Sequence, residues 1–291
     1  MRIRIGCFAA LVPVMMAMVG QVQADPTSFA FGTVQNYNYD DLGGFCLAAS
    51  FINGATYLQN AYPSGYGNTP LSTGPASTSA AAALDFAYNG WTSPQGTAFS
   101  GYYTRVGQNG ATFGDWWQTA IDWTESYAPG KTAYSGQVAG VLDGENPSTW
   151  TRGSNVADQS PTYSFLRSAA TKDDFVELAV YGYNIVNGNE LDVIGGHAID
   201  LADITCSHGT YTLTYQDPNF PTSQFLSAKL STINIDGEQF FTYDDPYTFG
   251  ANAFIAAAVV ESALPDPVPE PSSLVLLVIG TISFVAWRRR R

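Results

Sequence analysis

Cys46, His197 and Asp217 are the residues with which this chain could carry out nucleophilic chemistry. A cysteine sulfur attacks as its thiolate, and a nearby imidazole can take the thiol proton. A carboxylate on the far side of the ring fixes the tautomer and steadies the imidazolium that forms. Such a trio would attack a peptide or other acyl carbonyl, with Asn219 as the substitute for Asp217. The same sulfur has a competing reading. Cys7 falls in an N-terminal leader, which leaves Cys46 and Cys206, and two cysteines in an exported chain can close one structural disulfide. Cys206 trails His197 along one expected strand, so the disulfide and the trio are nearly exclusive. His208, in a turn, is expected to be exposed.

Each of the three needs an element to hold it. Gly43-Gly44 precedes Cys46, and Leu47, Phe51, Ala55 and Leu58 then recur at helical spacing. The spacing predicts a helix from Cys46 to about Asn60. The unpaired N–H groups of its first turn favour a thiolate. Gly195-Gly196-His197-Ala198-Ile199 places His197 on a strand, after glycines that would let a substrate backbone approach the ring. Asp217-Pro218-Asn219 ends the next strand, where an antiparallel neighbour can lie beside His197.

The rest of the chain divides by period. Ser77 to Tyr88, Thr112 or Gly114 to Tyr127, and Pro161 to Ala170 read as helices, and Lys131 to Gln159 as loop with short strands. The stripe of Trp116, Trp117, Ala120, Ile121 and Trp123 is weighted toward a core face over a sugar-binding face. Strands are predicted at Phe175 to Tyr183, Asp192 to Ile204 with a break at Gly195-Gly196, Thr210 to Gln216, Phe225 to Ile235 and Glu238 to Tyr243. Ala251 to Val260 fits strand or helix. Helices early and antiparallel strands late predict an α+β fold with segregated layers.

A Cys opening the first long helix, a Gly-His-Ala strand far downstream and an Asp-Pro after the following strand resemble the papain-like cysteine peptidases. The order and the Asp-Pro are similar to their C39-type subgroup. The resemblance spans roughly Asp40 to Phe220. It implies a papain-like fold with Cys46 as nucleophile, His197 as general base and Asp217 as orienting residue. The family's oxyanion-stabilising Gln has no counterpart, since Asp40-Asp41-Leu42 stands there and Gln35 is too distant. Carboxylates would repel an oxyanion. The Cys46 N–H and the Asn36 or Asn38 side chains remain as stand-ins.

Both ends of the chain read as addresses. Residues 1–24, with Arg2 and Arg4, an apolar run and Val22-Gln23-Ala24, are predicted to be a signal peptide. Residues 25–264 form the exported body, and 265–271, alternating in proline, a stiff linker. Residues 272–291 are expected to form a short transmembrane helix, which would anchor the chain in the membrane, and an Arg-rich cytoplasmic end from Arg288. Pro269-Glu270-Pro271, the apolar segment and the arginines resemble the PEP-CTERM sorting tail of Gram-negative bacteria. That resemblance implies recognition by an exosortase, cleavage near the motif and transfer to the cell surface or extracellular matrix.

Six of the 12 Lys+Arg are the terminal arginines, so the rest of the chain carries 6 against 25 Asp+Glu, a formal charge of −19. Nucleic acid is excluded as a partner on that ground. The acidic balance is compatible with loosely held divalent cations, though no EF-hand ladder is present, and no cofactor is expected. The first function expected is therefore a surface-sorted cysteine hydrolase. The second is a non-catalytic matrix protein with a structural disulfide, binding exopolysaccharide through exposed aromatics such as Trp91 or Trp116.

Overall fold

The computed structural model describes residues 46–62, 66, 85–93, 96–106, 113–139, 150, 155–172, 174–186, 190–220, 225–246 and 248–264. The expected signal peptide, the irregular segment 25–42, most of the helix expected at Ser77 to Tyr88, the proline linker and residues 272–291 lie outside them.

Helix α1 runs Cys46–Ala61, as its period predicts. It is buried nearly all round: Ala48, Phe51, Ile52, Ala55, Tyr57 and Leu58 are each at most 1% exposed. A helix buried on every side is a core helix, and α1 lies against β5 and β6. A single π-helical turn, Asp85–Asn89, stacks Phe86 on Phe51 with ring centroids 4.4 Å apart. The small hairpin β1 (Trp91–Thr92) and β2 (Ala98–Phe99) follows, then α2 (Tyr102–Val106) and α3 (Phe113–Tyr127). Trp116, Trp117, Ala120, Ile121 and Trp123 of α3 are buried, so the aromatic stripe is a core face.

The remaining elements are β3 (Thr132–Val138), β4 (Val156–Asp158), α4 (Tyr163–Thr171), β5 (Phe175–Val186), β6 (Glu190–Ser207), β7 (Thr210–Gln216), β8 (Leu226–Ile235), β9 (Glu238–Asp245) and β10 (Ala251–Ala263). One eight-stranded sheet, in the order β4-β3-β10-β5-β6-β7-β8-β9, takes all of these strands. Strand β10 also pairs with β9 through Ala251–Phe254, so β5 to β10 close into a ring. Beyond Phe254 the same edge of β10 turns to β3, through Ala257–Ala263. A bulge between Ile255 and Ala257 marks the changeover and switches which side chains face inward. Ala253 and Ile255 share the barrel core with Ala258 and Val260. Ala257 and Val259 face the helical side instead.

These strands correct the sequence expectation. A papain-like α+β division, helices first and an antiparallel sheet afterwards, is not the architecture formed. Strands dominate the described residues, and β3 and β4, from a stretch read as loop with short strands, join the main sheet as its edge. Their pairing with each other is parallel, between residues far apart in sequence. Short strands whose partners lie that far away leave little local period to read. The expected transmembrane helix is corrected too. Among the described residues no helix is long and apolar enough to cross a membrane, and the segment expected to do so lies outside them.

The late strands follow their predicted ranges closely. His208 and Gly209 (φ 50° and 80°) and Asp236 and Gly237 (φ 52° and 91°) make the two tight hairpin turns. Strand β6 is not broken at Gly195-Gly196 but continues through them. A Cβ on Gly182, opposite Gly195, would sit 2.4 Å from the Phe249 ring. Phe249 thus takes part of the space that the glycines open, where a substrate backbone was expected.

Strand β10 also buries a carboxyl, Glu261, reached by the Thr124 hydroxyl of α3 at 3.4 Å. Burial, aided by the nearby Glu125 charge, pushes it up from about 4.5 to about 8, against the Thr124 hydrogen bond. A carboxyl raised on folding gives its full stabilisation below its unfolded value and loses it as pH rises through the folded one. Native stability is therefore expected to fall between about pH 4.5 and 8. Glu261→Gln should flatten that fall by a few kcal/mol, at about 1.4 kcal/mol per unit. Urea unfolding of both proteins across the window checks this, and parallel curves would contradict it.

Candidate active site

Cys46 is the first residue of α1, and the residue is half-buried. The sulfur hydrogen-bonds the His197 side chain and accepts from the backbone N–H groups of Ala198 and Leu47. Burial alone would raise this thiol, but the His197 hydrogen bond and charge, with the two N–H groups, outweigh it and hold it below the ordinary range.

His197 is supplied by β6, opposite Val180 of β5. Its Nε2 lies 2.8 Å from Asp217 Oδ1, and the two side chains are 3% and 1% exposed. Burial lowers the imidazole, yet the hydrogen bonds and charges of Asp217 and Cys46 prevail and raise it. The directions agree: the sulfur is pushed toward thiolate and the ring toward imidazolium. With Nε2 engaged by Asp217, Nδ1 is the nitrogen left for the sulfur.

Asp217 follows the last residue of β7. Its Oδ1 also accepts from the Asn219 N–H at 2.7 Å, and its Oδ2 from the Thr248 hydroxyl at 3.0 Å. Asn219 Nδ2 stands 3.3 Å from His197 Nε2 and donates to Thr248 Oγ1 at 3.0 Å. An Nε2–H that donates to Asp217 has no lone pair for an amide N–H, so Asp217 is the acceptor for the ring and Asn219 braces it through Thr248. Phe249 meets the imidazole edge-on, centroids 6.4 Å apart.

Cys206 lies near the far end of β6, exposed and free, and Cys46 is free as well. The disulfide expectation is therefore overturned. Its companion, sugar binding through exposed tryptophans, loses its ground because Trp91 and Trp116 are buried. The Asp40-Asp41-Leu42 stretch and Asn36 and Asn38 fall outside the described residues.

Sequence reasoning missed three buried groups around the trio. Asp200, three residues past His197 and fully buried, accepts from the Ser50 hydroxyl of α1, one turn past Cys46. This bond ties the helix that carries the sulfur to the strand that carries the imidazole. Glu177 of β5 lies directly opposite Asp200 and is 3% exposed. Burial raises both carboxyls well above the ordinary range. The Asp200 charge adds to the rise at Glu177, while at Asp200 the Ser50 hydrogen bond opposes it. The available signal was a lone acid inside each apolar run, Phe175-Val176-Glu177-Leu178-Ala179-Val180 and Ala198-Ile199-Asp200-Leu201-Ala202. Among the described residues no acid, His and Cys cluster is arranged to hold a metal ion.

Comparison with known proteins bears on the tail. The family model of the PEP-CTERM protein-sorting motif matches residues 267–291. The chain ends in a PEP-CTERM sorting motif. Pro269, Glu270 and Pro271 lie within it. The motif implies processing by an exosortase and is consistent with export and sorting to the surface of a Gram-negative bacterium. No curated protein matches the chain, so the resemblance of the body to papain-like peptidases has no relative behind it.

Proposed function

We propose that residues 25–264 are the exported body of a surface-sorted cysteine hydrolase, acting on a peptide or other acyl carbonyl through Cys46, His197 and Asp217. The observation that carries this reading is a single buried imidazole in contact with both a thiol and a carboxylate. His197 takes the Cys46 proton, and the thiolate attacks the acyl carbon. The tetrahedral centre collapses to a thioester as His197 returns the proton to the departing amine or alcohol. Water, deprotonated by His197, then cleaves the thioester and restores the thiol. Asp217 holds the ring throughout. The first N–H groups of α1 are the oxyanion donors this scheme offers.

The test is a reactive aryl ester with mass analysis of the protein during turnover. The reading expects a transient acyl adduct on Cys46, absent in Cys46→Ala. An adduct on Cys206 alone, or ester cleavage unchanged in Cys46→Ala, would refute it.

A further inference from the structure

A cavity of about 290 Å³ opens beside Cys46. Tyr103, Phe113, Trp116 and Tyr181 contribute aromatic walls. Among the described residues Glu177 is the one carboxyl in the lining, and no Lys or Arg lies there. The Glu177 side chain is buried, yet its Oε2 has no hydrogen-bond partner among the described residues. A buried carboxyl oxygen left unpaired at the wall of a cavity is costly, and a ligand that pairs with it relieves that cost. The surroundings select the ligand's charge. Burial holds Glu177 and the nearby acids Asp200 and Glu261 toward their neutral forms, and a cation entering beside Glu177 supplies the counter-charge that lets it ionise, its proton passing to solvent. His197, the basic group of the lining, is already engaged by Cys46 and Asp217. Aromatic faces around a carboxyl favour an organic cation, by ring quadrupole and by counter-charge.

We infer that this cavity binds an organic cation, a primary ammonium or guanidinium on an apolar stem, with Glu177 as its counter-ion. The stem packs against the aromatic walls while the charged end reaches the carboxyl. That the cation belongs to a substrate, as a lysine- or arginine-like group next to the attacked carbonyl, rests on the hydrolase reading. The cavity's preference for a cation does not.

The experiment uses three methanethiosulfonates on the full-length protein, carrying a cationic aminoethyl, a neutral methyl or an anionic sulfonatoethyl group. Peptide mass mapping reads the rates at Cys46, with exposed Cys206 in the same molecule as the reference. Relative to Cys206, the aminoethyl reagent should gain about tenfold over the methyl reagent at Cys46 and the sulfonatoethyl reagent should lose about as much. Glu177→Gln, which keeps the shape, should remove most of the cation's gain. Equal Cys46-to-Cys206 ratios for the three reagents in the unaltered protein would overturn the inference without any variant. So would a gain that survives in Glu177→Gln. Neutral iodoacetamide separates the two claims. If His197→Ala leaves its rate at Cys46 unchanged while the charge preference holds, the cation site stands and the hydrolase reading falls.

Discussion

His197→Ala is expected to slow alkylation and acylation of Cys46 at pH 7 by about a hundredfold. Without the imidazole the sulfur loses its hydrogen bond and its counter-charge, and burial, the largest influence on it, is left to push the thiol up. An ordinary thiol near pKa 8.5 is only a few per cent thiolate at pH 7, which accounts for about thirtyfold before burial is counted. Loss of general-base help adds to this for acylation, typically 10²–10⁴ in all. Asp217→Asn should fall between the two proteins, because the ring keeps a neighbour but loses the carboxylate that raises it. Asn219→Ala should cost less than Asp217→Asn, since Asn219 braces the carboxylate rather than the ring. Stopped reaction series read by peptide mapping at Cys46 check the order. Equal rates in His197→Ala, or a larger loss in Asn219→Ala than in Asp217→Asn, would contradict the geometry.

Gly54→Ala is expected to destabilise the fold by about 3 kcal/mol, at the upper end of overpacking costs. A Cβ at Gly54 of α1 would fall 1.7 Å from a ring carbon of Phe175, itself 2% exposed at the start of β5. That ring has little room to retreat, as Phe51 lies against it with centroids 6.5 Å apart. On helix propensity alone the substitution would stabilise by roughly 1 kcal/mol, so the two effects have opposite signs and the experiment decides between them. Phe175→Leu combined with Gly54→Ala should recover part of the loss, a coupling that a double-mutant cycle in urea measures. A neutral or stabilising Gly54→Ala would show that α1 and β5 pack less closely than described. The same contact fixes α1 over the sheet, so a shifted helix should also weaken the meeting of Cys46 with His197.

Local signals made most elements legible and left their assembly hidden. Helices α1, α3 and α4 and the strands β5 to β9 carry their own period or their own turn residues, and those positions could be read, while β10 was left between strand and helix. Strand β3 fell in a stretch read only as loop with short strands, and its place in the main sheet could not be read, because Thr132–Val138 pairs with β10 more than a hundred residues later. The closure of β9 on β10 is equally non-local, and so is the bulge at which β10 changes partners. The expected α+β layering failed for that reason. At the site, the helix start at Cys46, the strand at His197 and the strand end at Asp217 each had a local mark. Ser50, Glu177 and Asp200 had none beyond being polar residues in apolar runs. Phe249 and Thr248 sit past a turn with no motif at all, yet one packs on the imidazole and the other holds its carboxylate.

The ionic pair at Cys46 and His197 can be observed directly through the ultraviolet absorbance of thiolate, as the difference between the unaltered protein and Cys46→Ala across pH. Thiolate exists above the pKa of its thiol, and this one is held below the usual range, so the signal should appear at lower pH than that of an ordinary thiol. In His197→Ala it should appear only in the ordinary alkaline range, near pH 8.5 or above. A Cys46 signal that first rises in that range in the unaltered protein would contradict the account.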